Sequence, residues 1–107
     1  MWLVGAMDCT MVTLTARERS LVWAHGLAGD VLQEVEPQLE AHRETPGEVA
    51  VRSSQYNWAR VTGSMSYEVR VMKVRPRTLR LEVLDLCDRI DAEIERDGYS
   101  WQTCRGG

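Results

Sequence analysis

The fold is decided by residues 48–75, which read EVAVRSSQYNWARVTGSMSYEVRVMKVR. Within them, β-branched and aromatic residues alternate with polar ones over 48–61 and again over 65–75, and a period of two is typical of half-buried strands. Between these segments, Gly63-Ser64 suits the two-residue loop of a type II′ turn. The sequence therefore predicts an antiparallel β-hairpin, with a basic and aromatic face on one side.

Helical patterns flank this stretch. Before it, Thr15 and Glu18 form a capping-box pattern, and apolar residues recur at helical spacing until Pro37 ends or kinks the helix. A short helical piece over 37–43 is expected next. After the hairpin, Thr78 is expected to cap a long helix that stops at Asp97-Gly98. The apolar stripe of this helix comprises Leu79, Val83, Leu86, Cys87, Ile90 and Ile94.

This order of elements indicates an α+β fold of helix, antiparallel hairpin and long C-terminal helix, arranged as a two-layer α/β sandwich. A lone hairpin is marginal in water, so either a third strand within residues 3–14 completes the sheet or two chains pair their edges in a homodimer, and we favour the homodimer. We expect an N-terminal extension or edge strand over 1–12, a single α+β domain over 13–101 and a flexible tail over 102–107.

Length and composition limit the class of protein. With 107 residues, of which 44% are hydrophobic, the chain can form one domain with its own core, and its net charge of -3 excludes a histone-like polycation. Its cysteines, Cys9, Cys87 and Cys104, are odd in number and far apart, which favours a reducing cytoplasm and no metal site. The apolar residues 1–6 are far fewer than the roughly 20 that span a membrane, so no membrane segment is expected.

The charge is strongly segregated along the chain. Residues 52–80 hold seven cations against Glu68 alone, a net of +6, whereas the segment before them has a net of -5 and residues 81–107 a net of -4. Arginines among aromatic rings are typical of surfaces that bind single-stranded nucleic acid or nucleotides. The candidate partner-binding residues are Arg52, Tyr56, Trp58, Arg60, Tyr67, Arg70, Lys73, Arg75 and Arg77. Alternatively, the aromatic rings belong to the core and the arginines pair with acids of the helices.

No recognisable catalytic or cofactor-binding set is present in the sequence. His25 and His42 stand apart from the cysteines, and both are expected to be structural or surface residues. The acidic row of the last helix is expected to be its solvated side. This row comprises Asp85, Asp88, Asp91 and Glu95. We therefore expect no catalytic residue, no metal and no cofactor.

Residues 14–19, LTARER, followed by His25-Gly26-Leu27, resemble the opening of the helix-turn-helix domain of quorum-sensing-type response regulators. The interval between the two parts is shorter than in that family, and acidic residues, Pro46-Gly47 and a predicted strand stand where its recognition helix would follow. A related winged-helix layout is disfavoured by the same acids, because a recognition helix must approach phosphates. No functional residue is transferred from this resemblance.

The sequence thus favours a small, non-enzymatic, cytoplasmic binding module whose basic, aromatic hairpin contacts an anionic partner. This partner is nucleic acid, a nucleotide or an acidic protein surface. The alternative is a structural, adaptor or inhibitor protein of a phage or bacterial assembly, which acts through protein contacts and self-association. An enzyme would need an unrecognised metal or a site assembled across a dimer.

Overall fold

The computed structural model describes residues 9–27 and 32–97. These residues form strand β1 (Cys9–Leu14), helix α1 (Ala16–His25), helix α2 (Leu32–Ala41), strand β2 (Val49–Ser54), helix α3 (Gln55–Arg70) and helix α4 (Arg77–Asp97). The α+β class, the presence of a two-stranded antiparallel sheet and the long C-terminal helix are confirmed. The predicted tail over 102–107 and the first eight residues of the predicted N-terminal extension lie outside the described residues.

The sheet consists of β1 and β2, which run antiparallel with Val12 opposite Val51. Alternate residues of the strands are buried on one face, as the pleat requires. These buried residues are Thr10, Val12, Leu14, Val51 and Ser53. On this face the indole Nε1 of Trp58 donates a 3.1 Å hydrogen bond to the Thr10 carbonyl, which ties α3 to β1. The partner of β2 is therefore the N-terminal strand, which was predicted within residues 3–14 as one of two ways to complete the sheet.

The predicted hairpin over 48–75 is wrong in its second half. Only 49–54 of this stretch is a strand, and Ser54 then caps α3 by accepting a 3.0 Å hydrogen bond from the Asn57 amide. The predicted turn, Gly63-Ser64, lies inside this helix. The buried residues of α3 are Trp58, Val61, Thr62 and Met65, which follow the helical period. Burial of this stripe outweighs the strand propensity of its β-branched and aromatic residues.

A second correction concerns the two short helices. The sequence predicts one helix from Thr15 to the neighbourhood of Pro37, but α1 ends at His25 and Pro37 lies inside α2. Gly26 caps α1 at a close approach to α3, where a Cβ on Gly26 would come 2.9 Å from Val61 Cγ1. Pro37 costs α2 one backbone hydrogen bond. Its neighbours Val35 and Leu39 are both buried in the core, which offsets that cost.

The capping box of α1 is confirmed. The Glu18 amide donates to Thr15 Oγ1 over 3.1 Å, and the Thr15 amide donates to Glu18 Oε1 over 2.9 Å. This reciprocal pair satisfies two of the amides that the first turn of a helix leaves unpaired.

Side chains of α2 cover the outer edge of β2. The side-chain amide of Gln38 accepts a 2.9 Å hydrogen bond from the Arg52 amide and donates a 2.6 Å bond to the Arg52 carbonyl. Two residues along the strand, the Ser54 amide donates to the Glu34 carboxylate over 3.3 Å. These bonds occupy backbone groups that another strand would otherwise take, so β2 needs no further strand on this side.

Helices α3 and α4 form an antiparallel pair that completes the core. Gln55 Nε2 donates to the Ile94 carbonyl over 3.2 Å at one end, and Ser66 Oγ lies 3.8 Å from Cys87 Sγ further along. The predicted stripe of α4 is confirmed as its inner face: Val83, Leu86, Cys87 and Ile90 are buried, and Leu79 and Ile94 pack against them. Within the described residues, no helix is long and apolar enough to cross a membrane.

Candidate functional site

One exposed face of α3 carries two tyrosines and two arginines. Tyr56, Arg60, Tyr67 and Arg70 are separated by four, seven and three residues, a spacing that keeps them on one side of a helix. Tyr56 is 65% exposed and Tyr67 52% exposed. The face extends for about 21 Å between its end residues. We call these four residues the α3 face.

The first two residues of the α3 face contact each other. Arg60 Nη1 donates a 3.0 Å hydrogen bond to the Tyr56 hydroxyl, and Arg60 Cζ lies 5.7 Å from the centroid of the Tyr56 ring. This contact orients the Arg60 guanidinium along the helix, and the guanidinium stays exposed. Arg60 therefore loses less side-chain conformational entropy when a partner binds it.

The connection from α3 to α4 concentrates positive charge. Together with the ends of the two helices it contains Arg70, Lys73, Arg75 and Arg77, all exposed. We call these four residues the basic elbow.

The elbow has a defined backbone. Met72 has a φ of 65°, its amide donates to the Val69 carbonyl over 3.1 Å, and the Lys73 amide donates to the Glu68 carbonyl over 2.9 Å. These two bonds form a Schellman motif, which ends α3 and turns the chain toward α4. The elbow is therefore a structured turn, and its charged side chains start from fixed backbone positions.

The basic elbow has no counter-ions among the described residues, because none of its four side chains takes part in a salt bridge there. Arginines elsewhere do pair with acids, as Arg17 does with Glu82 at 2.8 Å and Arg89 with Glu18 at 2.5 Å. The hydrogen bond from Arg17 holds the pKa of Glu82 below its usual range. The fold thus pairs Arg17 and Arg89 with acids and leaves the cations of the elbow available to a partner.

The single acid of residues 52–80 points away from the elbow. Glu68 Oε1 lies 2.8 Å from His25 Nδ1 of α1, on the edge of α3 that also holds Ser64, whose hydroxyl donates to the His25 carbonyl over 2.9 Å. Helix α1 therefore occupies the edge of α3 that carries the acid, and the α3 face lies on another side.

Two of the predicted site residues do not join the others. Trp58 is fully buried between α3 and the sheet, so it belongs to the core, and a partner cannot reach it in the folded protein. Arg52 is exposed on β2, before the start of α3 and thus at the opposite end of that helix from Arg70. The predicted set of partner-binding residues omits Arg80, which is one of the seven cations of residues 52–80. Arg80 Nη1 donates to the Arg75 carbonyl over 2.6 Å, which places it beside the elbow.

Large apolar side chains are exposed near the basic elbow. Val71 and Met72 lie in the connection itself, with 41% and 53% of their surface exposed, and Leu81 and Leu84 lie in the first turns of α4, with 51% and 37% exposed. Apolar side chains next to uncompensated charge are typical of surfaces that contact another molecule.

The described residues hold no group of three or more metal-ligating side chains. His25 contacts Glu68, and His42 Nδ1 lies 3.3 Å from Thr45 Oγ1. Cys87 is buried, and burial raises the pKa of its thiol, so it is not an activated nucleophile. The acidic row of α4, Asp85, Asp88, Asp91 and Glu95, is exposed to solvent.

Comparison of the chain with protein families, with curated proteins and with solved structures finds no match.

Proposed function

We propose that this protein is a small, non-enzymatic binding module that contacts single-stranded nucleic acid with the basic elbow and the α3 face. The observation that carries the proposal is the set of four elbow cations, which have no counter-ions among the described residues and adjoin a helix face with two exposed tyrosines. Cations bind phosphates, and exposed rings offer flat surfaces for bases.

The arrangement suits a flexible strand better than a duplex. The α3 face alternates tyrosine and arginine along about 21 Å, so successive unstacked bases meet rings while the phosphates stay near guanidinium groups. A duplex keeps its bases stacked inside and offers nothing for Tyr56 and Tyr67 to stack against. We therefore propose tighter binding to single strands than to duplexes of equal length.

Fluorescence anisotropy with a labelled single-stranded oligonucleotide tests the electrostatic part. The test variant is Arg70→Gln with Lys73→Gln, and the control is Arg43→Gln with Arg96→Gln, which makes the same change in net charge on other surfaces. Because each phosphate contact on a single strand contributes about 0.7 to the slope of log affinity against log salt, the test variant is expected to lower that slope by about 1.4.

The control variant is expected to lose at most one third of the affinity and of the salt slope that the test variant loses. Equal affinity and equal slope in the test and control variants would show that the elbow makes no phosphate contacts, and the proposal would be wrong. Thermal unfolding of each variant checks that the fold is intact before affinities are compared.

The stacking part needs a separate pair of variants. Replacing both Tyr56 and Tyr67 with alanine removes two rings, and one stacked base is worth about 1–3 kcal/mol, so we expect affinity to fall by at least tenfold. Replacing both with phenylalanine keeps the rings and is expected to keep most of the affinity. Equal loss in the two variants would assign the tyrosines to hydrogen bonding instead of stacking.

A second candidate function, self-association or docking on a protein, is favoured by the exposed Val71, Met72, Leu81 and Leu84. We propose a homodimer on this surface as the alternative, and a cytoplasmic location for either function. Light scattering with absorbance at two wavelengths, in low salt and near 0.5 M salt, separates the candidates. A 260 nm signal that is lost in high salt supports nucleic-acid binding, whereas a dimer mass that is independent of salt supports protein contact.

A further inference from the structure

A small cavity lies between α1 and α2, on a part of the molecule that the proposed nucleic-acid surface does not use. Its volume is about 210 Å³, and it is lined by Ala16, Arg19, Ser20, Trp23, Leu39 and Arg43. Arg19, Ser20 and Trp23 follow one another at helical spacing on α1, while Leu39 belongs to α2 and Arg43 to the turn after it.

Arg19 is a buried cation without an acid. It is 4% exposed, and backbone carbonyls hold its guanidinium: Nη1 donates to Leu14 over 3.0 Å and to Gly47 over 2.8 Å, and Nη2 donates to Thr45. Within the described residues no carboxylate forms a salt bridge with Arg19. A buried charge is costly unless it is paired, and three carbonyl dipoles compensate it only in part.

Two N–H groups of this guanidinium remain unused. The three bonds take both N–H groups of Nη1 and one of Nη2, so Nε–H and the second N–H of Nη2 have no acceptor in the described part of the chain. Among the described residues, the side-chain N or O atom that is fully enclosed and has no hydrogen-bond partner is Thr10 Oγ1. Arg19 Nε also has no partner there but is not fully enclosed, so it keeps access to solvent. Arg19 is one of the residues that line the cavity.

We propose that this cavity binds a small organic carboxylate, whose two oxygens accept hydrogen bonds from Nε and Nη2 of Arg19. The protein contains the same pairing elsewhere, because Arg17 grips the Glu82 carboxylate with Nε at 2.8 Å and Nη2 at 2.9 Å. An anion in the cavity would supply the counter-charge that Arg19 lacks.

The remaining walls define the body of the ligand. Leu39 is buried at the α2 side, and Trp23 presents a ring that is 39% exposed, so the body is apolar and flat enough to lie against an indole. Arg43 Cζ lies 5.8 Å from the centroid of the Trp23 ring, and Arg43 Nη1 lies 3.5 Å from Glu40 Oε2, so this side wall of the cavity carries an ion pair. The volume is below the roughly 300–1,000 Å³ of typical ligand pockets, so an acid of about the size of benzoate fits better than a nucleotide.

The inference does not rest on the proposed function. The cavity is formed by α1 and α2, whereas the basic elbow joins α3 to α4, and the two sites share no residue. Either site can therefore fail its test without affecting the other.

Titration followed by ¹H–¹⁵N NMR tests the proposal, with sodium benzoate as the probe and benzamide as its neutral isostere. Sodium chloride is adjusted to hold the ionic strength constant. Saturable shifts are expected at Arg19 Nε–H, at the Trp23 indole and at the amides of residues 19–23. Because a charge-assisted bidentate contact is lost with the amide, benzamide is expected to bind at least about tenfold more weakly.

Replacing Arg19 would remove three carbonyl bonds and destabilise the fold, so the variants are Trp23→Ala and Arg43→Gln. Each is expected to weaken benzoate binding at least threefold, while Arg17→Gln, an exposed arginine on the same helix that pairs with Glu82, leaves it unchanged. Equal shifts from benzoate and benzamide, shifts confined to the basic elbow, or unchanged affinity in both cavity variants would overturn the proposal.

Discussion

His25 Nδ1 lies 2.8 Å from Glu68 Oε1, and this contact joins the last turn of α1 to the last turn of α3. Both side chains are largely buried, with 18% and 26% of their surface exposed. The contact satisfies a carboxylate that would otherwise be partly desolvated without a partner.

We therefore expect His25→Ala to lower the free energy of unfolding by about 1–2 kcal/mol, because the substitution leaves the Glu68 carboxylate without its hydrogen bond. Urea unfolding at neutral pH measures the change. His42→Ala is the matched control: its ring has one 3.3 Å contact with Thr45, so a loss below about 0.5 kcal/mol is expected. Equal losses in the two variants would mean that the contact contributes no stability.

Two glycines should respond in opposite directions to the same substitution. A Cβ on Gly26 would meet Val61 Cγ1 at 2.9 Å, so Gly26→Ala forces α1 and α3 apart and is expected to cost about 1–3 kcal/mol. A Cβ on Gly63 meets nothing within 4 Å, and Gly63→Ala is expected to stabilise the exposed side of α3 by about 1 kcal/mol. Thermal unfolding of both variants against wild type tests the pair, and a stabilising Gly26→Ala would contradict the packing described above.

Met72 occupies the left-handed position of the motif that ends α3, with a φ of 65°. A side chain in this conformation costs about 1–2 kcal/mol relative to glycine, so Met72→Gly is expected to raise the free energy of unfolding by about 1 kcal/mol. Val71, its neighbour, has a φ of −93°, and Val71→Gly is expected to lower stability instead. Chemical denaturation of both variants measures the two changes in the free energy of unfolding. A loss of stability in Met72→Gly would show that the apolar contacts of the Met72 side chain outweigh the cost of its left-handed backbone.

The buried thiol of Cys87 makes stability depend on pH in the alkaline range. Burial raises the pKa of Cys87 in the folded state, with the nearby Asp91 and Asp88 adding to the effect. The unfolded thiol ionises near pH 8.5, so the stabilisation is fully present below that value and is lost as pH rises toward the folded pKa.

The test uses a background in which Cys9 and Cys104 are serine, so that Cys87 is the one thiol. Denaturation midpoints from pH 7 to 9.5 are expected to fall in this protein. They are expected to fall less after Cys87→Ala, although that variant starts from a lower stability because it leaves a small cavity. A parallel decline in both proteins would assign the pH dependence to other groups.

The start of α1 and the apolar stripe of α4 were predictable from the sequence. The predicted cap of α4 is wrong, because α4 begins at Arg77 and Thr78 lies inside it. Thr15 and Glu18 mark the start of α1, and the stripe of α4 from Leu79 to Ile94 has no alternative period. Residues 55–70 fit two periods at once: Trp58 and its alternate neighbours read as a strand face, and the steps from Trp58 through Val61 to Met65 read as a helix face. Local propensity favours the strand, and the packing of the folded protein outweighs that propensity.

This ambiguity also explains which part of the candidate site could be predicted. Charge counts identify the basic elbow whatever the backbone does, because Arg70, Lys73 and Arg75 are close in sequence. The aromatic residues depend on the period: in a strand Tyr56 and Trp58 share a face, but in a helix residues two apart point in nearly opposite directions. That geometry buries Trp58 and exposes Tyr56. The N-cap pattern at Ser54 was the signal that distinguishes the two cases.

The amide of Gln38 acts as a substitute for a neighbouring strand, since it holds both the amide and the carbonyl of Arg52. This protection exists only after α2 has docked. A chain that has paired β1 with β2 before that moment presents an open backbone edge to every other chain in the same state. We therefore expect the loss of Gln38 to lower the yield of protein during synthesis or refolding more than it lowers the equilibrium stability of the finished molecule.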